Sequence, residues 1–166
     1  MSRSGHIYFT DPAFGPSQTE GRELEFYGVY HITPKGELNL IAKPEGRPNG
    51  IALSPDAKLL YVANSDERNV RAYDIAKNGA ASNGRVLISG IEGVPDGMKT
   101  DEKGNLYVTA KQISVYSSEG KSIGTISVPE VPANCAFGDP DFKSLYITAR
   151  TSVYRVRLDV KGAVHH

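Results

Sequence analysis

Hydrophobic and polar residues alternate along this chain in short runs, and no long window keeps the 3.6-residue period of an amphipathic helix. One pattern recurs: an apolar residue, a tyrosine, an apolar residue, then a small one. It reads Ile7-Tyr8-Phe9-Thr10, Leu60-Tyr61-Val62-Ala63, Leu106-Tyr107-Val108-Thr109 and Leu145-Tyr146-Ile147-Thr148. The tyrosines stand 53, 46 and 39 residues apart, intervals that bracket the period of about 40–50 typical of propeller blades.

What surrounds each tyrosine repeats as well. Runs at 48–53, 95–99 and 132–137 each begin with proline and lead through a turn to the tyrosine strand. The turns are Ser54-Pro55-Asp56-Ala57-Lys58, Asp101-Glu102-Lys103-Gly104-Asn105 and Asp139-Pro140-Asp141-Phe142-Lys143, all rich in turn-forming residues. Third strands are predicted at 28–32, 70–74, 113–116 and 153–156, and fourth strands at 37–41, 85–88 and 122–128. Each unit is therefore a four-stranded meander with strands A to D. The first begins at its B strand and the last stops after its C strand. The predicted fold is all-β, a partial β-propeller of about three and a half antiparallel blades. It forms one domain over 1–166: a blade remnant at 5–42, blades at 43–90 and 91–129, and an incomplete blade at 130–160. A closed propeller needs four to eight blades. Open ends leave unpaired strand edges, which invite pairing with another chain.

Charge narrows the partners. Nineteen Lys and Arg balance nineteen Asp and Glu, so no field draws the chain to nucleic acid. No apolar run approaches the length that spans a bilayer, and no membrane partner is expected. Cys135 is the one cysteine, which excludes an internal disulfide, and its neighbours Ala136 and Phe137 suggest a small buried thiol. With no apolar leader in the first residues, the expectation is a cytoplasmic location.

Two loops carry candidate chemistry. Asn49 in Pro48-Asn49-Gly50 and Asp96 in Pro95-Asp96-Gly97 stand at equivalent places, just before an A strand. Inner strands line a propeller channel, so both side chains can face one axis, where an amide oxygen and a carboxylate suit a hard cation. The plainer reading is a pair of turns in which Asn and Asp bond their own backbone. Asn134, in the next equivalent loop, has two roles open to it: touching substrate or satisfying a backbone group. Arg47 can reach a carboxylate or hydroxylated substrate, or sit as a solvated loop residue. Asp11, before Pro12, suggests an Asx turn. His6 and His31 lie in strands without a triad-like context, and His165 and His166 close the chain. The segment 14–26 reads as a long inserted loop bordering the channel mouth.

Taken together, Ile7-Tyr8-Phe9-Thr10-Asp11-Pro12, Arg47-Pro48-Asn49-Gly50-Ile51, Val94-Pro95-Asp96-Gly97-Met98 and Asn134-Cys135-Ala136-Phe137-Gly138 resemble the gluconolactonase, or senescence-marker-protein, family of six-bladed propellers, which also includes luciferin-regenerating-enzyme-like proteins. The likeness covers nearly the whole chain and corresponds to the C-terminal half of that family. It implies a hydrolase of lactones or related esters. It also implies one divalent cation at the channel mouth, calcium first, with zinc, magnesium and manganese as the other candidates. The family's ligands are a glutamate, two asparagines and an aspartate. Asn49 matches the second asparagine and Asp96 the aspartate, while the glutamate and the first asparagine would lie ahead of residue 1. In that scheme the metal polarises the lactone carbonyl, and Asp96 acts as general base or nucleophile. With half the ligands, a lone chain is expected to bind calcium weakly. Two ways to complete the ring or use its edges follow: a homodimer of half-rings that exchanges strands, or a non-catalytic fragment that binds a partner through its open edges.

Overall fold

The structure, a computed structural model, describes residues 2, 4–15 and 23–164. Part of the 14–26 loop, together with His165 and His166, therefore lies outside the described residues. The described chain contains fourteen strands and no helix, arranged in four antiparallel meanders. Sheet 1 is β1 (Ile7–Asp11), β2 (Gly28–Ile32) and β3 (Leu38–Ala42). Sheet 2 is β4 (Pro48–Leu53), β5 (Leu59–Asn64), β6 (Asn69–Ile75) and β7 (Ala81–Ile88). Sheet 3 is β8 (Met98–Thr100), β9 (Leu106–Thr109), β10 (Ile113–Tyr116) and β11 (Ser122–Ile126). Sheet 4 is β12 (Pro132–Gly138), β13 (Ser144–Ala149) and β14 (Val153–Arg157). Strands pair in chain order within every sheet, and β1, β4, β8 and β12 neighbour one another along the inside of the arc. The molecule is a partial all-β propeller.

Period-two alternation explains how the sheets stack. In β5, Leu60 and Val62 enter a cluster with Tyr8, Val29, Leu53 and Tyr73, between sheets 1 and 2. Tyr61 and Ala63, on the other face, join Val70, Ala72, Met98, Leu106 and Val108, between sheets 2 and 3. Tyr107 turns the other way from Leu106 and Val108, and packs with Ile113, Val115, Cys135, Leu145 and Ile147 between sheets 3 and 4. The middle sheets thus bury both faces, which is why their tyrosine strands read as nearly continuous apolar runs. Outer strands are exposed: β11 shows four of its five residues to solvent.

The recurrent tyrosine has a second task. Tyr107 Oη donates to Asp101 Oδ2 at 3.2 Å, and Tyr146 Oη donates to Asp139 Oδ1 at 2.7 Å. In both, the strand's tyrosine grips the aspartate that opens the preceding turn. Asp101, fully buried, also accepts from the backbone N–H of Lys103 and Asn105, each at 2.9 Å. The fourth residue of each of the three turns is left-handed, at φ 55° for Ala57, 85° for Gly104 and 55° for Phe142. One prediction needs correction. The regular inner strand of sheet 3 is only Met98–Thr100: Asp96 N–H still donates to Thr109 O at 2.9 Å and Gly97 O accepts from Thr109 N–H at 3.0 Å, but Gly97 N–H turns to the next sheet and donates to Ala133 O at 2.8 Å.

Candidate functional site

Asn49 lies near the start of β4, and Asp96 lies two residues before β8. Because β4 and β8 are neighbouring inner strands, the two side chains come to the same end of the arc. They approach each other there, close enough that the Asn49 side chain favours the ionised form of the Asp96 carboxylate. Neither glycine that follows serves a left-handed turn, since Gly50 and Gly97 are absent from the positive-φ residues. They are glycines because successive loops lie against them. A Cβ at residue 50 would stand 2.0 Å from Asp96 O, and one at residue 97 would stand 2.1 Å from Asn134 Oδ1. The two glycines thus allow close packing of one loop on the next.

Hydroxyl groups hold these loops in line. Thr10 Oγ1 donates to Asn49 O at 2.7 Å, Ser65 Oγ to Pro95 O at 2.7 Å, and Thr109 Oγ1 to Ala133 O at 2.9 Å. Each spans from one sheet to the loop entering the next. Thr10 and Thr109 are the small polar residue two places after the repeat tyrosine. Sheet 2 has Ala63 at that place, and Ser65 takes over the contact. Ser65 Oγ also accepts from Asn49 Nδ2 at 3.3 Å.

Burial pushes the half-buried Asp96 carboxyl above its usual range, and the polar Asn49 side chain and Gly97 N–H beside it only partly offset this. No cationic side chain contributes to that balance. A half-buried carboxylate without a cation, beside an amide, is a donor set suited to a hard dication. It supplies only part of the six to eight oxygens calcium takes. Among the described residues, no group of three or more His, Cys, Asp and Glu side chains is placed to hold a metal. Asn49 and Asp96 therefore fit such an ion as one portion of a site.

The remaining candidates fall outside this pair or have other partners. Arg47 is partly exposed and paired with a carboxylate of this chain, Asp66. Its Nε donates to both Asp66 oxygens at 3.0 Å, its backbone N–H donates to Asp66 Oδ2 at 2.9 Å, and its guanidinium lies 4.6 Å from the Phe14 ring centre. Arg47 thus ties the start of the inserted loop to the loop after β5. Asn134 is exposed, and its Oδ1 accepts from Cys135 N–H at 2.9 Å, the backbone-satisfying role. Asp11 is the last residue of β1, in register with Gly28. His6 and His31 are buried against each other, with Nδ1 and Nε2 2.7 Å apart. Cys135 is 4% exposed, and burial pushes its thiol up to about 11. A cavity of about 400 Å³ lies toward the far ends of the inner strands, lined by Tyr8, Leu53, Lys99, Thr100, Phe137 and Ala163 among others. Sequence reasoning missed Ser65, Thr10 and Thr109. The repeated small polar residue was the available signal for the threonines, but Ser65 stands off that register.

Comparison with known proteins places this architecture. Residues 1–151 match the family profile described as the SMP-30/Gluconolactonase/LRE-like region. The gluconolactonase of Zymomonas mobilis is 38% identical over 178 aligned residues, which take in 98% of this chain and 50% of that protein. Pentonolactonase XacC of Haloferax volcanii is 30% identical over 141 residues, covering 80% of this chain and 46% of that protein. Among solved structures, a gluconolactonase of Xanthomonas campestris superposes with a TM-score of 0.85 at 33% identity, over 95% of this chain and 55% of that one. The chain thus spans about half the length of the curated relatives it matches. On the matched profile and the Zymomonas likeness, which runs almost the whole length of the chain, this protein belongs to the SMP-30/gluconolactonase/LRE-like family.

Proposed function

We propose that this chain carries the Asn49–Asp96 portion of a metal-dependent hydrolase of sugar lactones or related esters, working with a calcium-type dication. The observation that supports it best is the contact of Asn49 with Asp96 at one end of two neighbouring inner strands. The names of the relatives, gluconolactonase and pentonolactonase, support the substrate class. A solved structure named as a calcium-binding regucalcin, from Agrobacterium tumefaciens, shares the fold with a TM-score of 0.82.

Asn49 and Asp96 would hold the ion, which when bound supplies Lewis-acid polarisation of the carbonyl. Asp96 accepts a proton from the water whose oxygen adds to the lactone carbonyl carbon. The ring C–O bond then breaks, the ring oxygen takes up the proton, and the product is the open hydroxy acid. Asp96 must be ionised for this, and burial opposes that state. The Asn49 side chain beside Asp96 favours it.

A second reading, a non-catalytic interaction module, rests on the edges. β14 ends a three-stranded sheet with no further neighbour among the described residues, and Val153 on it is 67% exposed. A homodimer closing the ring would also use those edges. The deciding experiment is pH-stat hydrolysis of D-glucono-δ-lactone with and without millimolar calcium, on material sized by light scattering. Calcium-dependent hydrolysis that is lost in Asp96→Asn supports the enzyme. Hydrolysis retained in Asp96→Asn removes Asp96 from the reaction. A monomer without activity turns the reading to the interaction module.

A further inference from the structure

A cation takes the oxygen of a carboxamide and is repelled by its N–H groups, so the Asn49 side chain serves the proposed site in only one of its two flipped orientations. The two ends of a carboxamide have nearly the same shape, and a neighbouring contact must choose between them. Ser65 makes that contact. It follows β5, is 3% exposed, and its Oγ lies 2.7 Å from Pro95 O and 3.3 Å from Asn49 Nδ2.

A hydroxyl has one proton, and the Pro95 carbonyl can only accept. The Ser65 proton is therefore committed to Pro95, and only lone pairs on Oγ face Asn49. An amide oxygen there would meet an oxygen with no proton to give. The nitrogen is the end that fits. The Asp96 carboxylate, also an acceptor, asks for the same end. The two contacts differ in one respect: the Asp96 contact competes with a cation for the carboxylate, and the Ser65 contact does not.

We propose that Ser65 is a positioning residue that fixes the flip of the Asn49 carboxamide, so that its oxygen is the atom left to ligate a dication. The proposal rests on the Asn49–Asp96 reading of the site. Its setting in the fold is specific. Thr10 and Thr109, which make the same inter-sheet contact elsewhere, reach backbone carbonyls only. Sheet 2 has a buried alanine, Ala63, in that register. The hydroxyl two residues further on holds the loop and touches the candidate ligand as well.

The test compares the full chain with Ser65→Ala and Ser65→Thr in two measurements. The first is nuclear magnetic resonance of the Asn49 side-chain amide, assigned by its disappearance in Asn49→Asp. In the wild type, the amide protons are expected to show contacts to the Ser65 β-protons and slow exchange with water. Ser65→Ala should speed that exchange about tenfold, and Ser65→Thr should restore protection. Unchanged backbone amide signals in the other sheets show that the fold is intact. The second measurement is terbium titration, read by luminescence sensitised through tyrosine. The apparent dissociation constant should rise about tenfold in Ser65→Ala and recover in Ser65→Thr, the size usual for the partner of a metal ligand. An Asn49 amide that exchanges freely in the wild type overturns the proposal. So does a lost tether with unchanged terbium affinity, and in that case the metal reading survives. A tether that behaves as expected, with no terbium bound by any of the three proteins, instead overturns the metal reading, and the role assigned to Ser65 falls with it.

Discussion

Gly50 lies directly against the backbone of Asp96: a Cβ at residue 50 would stand 2.0 Å from the Asp96 carbonyl oxygen. The obstacle is main chain, so it cannot swing aside as a flexible side chain would. Gly50→Ala should therefore push the Asp96 loop away from Asn49 and cost about 1–3 kcal/mol by overpacking. In a chain of this length that is a fall of roughly 3–10 °C in Tm. A melting temperature within a degree of wild type would show that the loop yields without cost.

Burial raises the pKa of Asp96 in the folded state. Its contribution to stability is then full below the ordinary carboxylate pKa of about 4 and is lost as pH rises through the higher folded value. At neutral pH the ionised group opposes folding. Asp96→Asn should raise Tm at pH 7 by about 2 °C and flatten stability against pH above pH 4. The same change should lower lactone hydrolysis by about 10²-fold or more if Asp96 is the general base. Thermal melts from pH 3 to 8 check the first part, and a destabilised variant at pH 7 would refute it.

Tyr107→Phe keeps the ring, which meets Phe137 edge-on at 5.3 Å, and removes only the hydroxyl bonded to Asp101. Asp101 keeps its backbone donors, so the loss should be about 1 kcal/mol. Urea unfolding would show a lower midpoint at constant slope. An unmoved midpoint would mean that the tyrosine acts through its ring alone.

The Cys135 thiol, buried and pushed up to about 11, should be inert at neutral pH. Ellman's reagent should label it only as fast as the chain opens, and at once in denaturant. Stoichiometric labelling of native protein within seconds would contradict its burial.

Asn49 and Asp96 bring one carboxylate and one amide, so a single chain should bind calcium with a dissociation constant on the order of 10⁻³ M or weaker. Calorimetric titration measures this directly. Micromolar affinity in a proven monomer would require ligands beyond these two.

The sequence by itself determined what is local. The repeated apolar-tyrosine-apolar pattern around Tyr61, Tyr107 and Tyr146 marked strands, and Asp101-Glu102-Lys103-Gly104 marked a turn, because pleating and turn chemistry depend on near neighbours alone. It also placed Asn49 and Asp96 in equivalent loops. Only the tertiary structure decided which loops touch. Arg47, read as a residue for solvent or substrate, is held by Asp66 from the loop after β5. Gly50, read as a turn former, makes room for Asp96. Ser65 could not be recognised from its own strand, since its two partners belong to β4 and to the loop before β8. These pairings follow from how sheets stack on the clusters around Leu60, Tyr61 and Tyr107. That stacking brings loops of different units together at a spacing no period along the chain encodes.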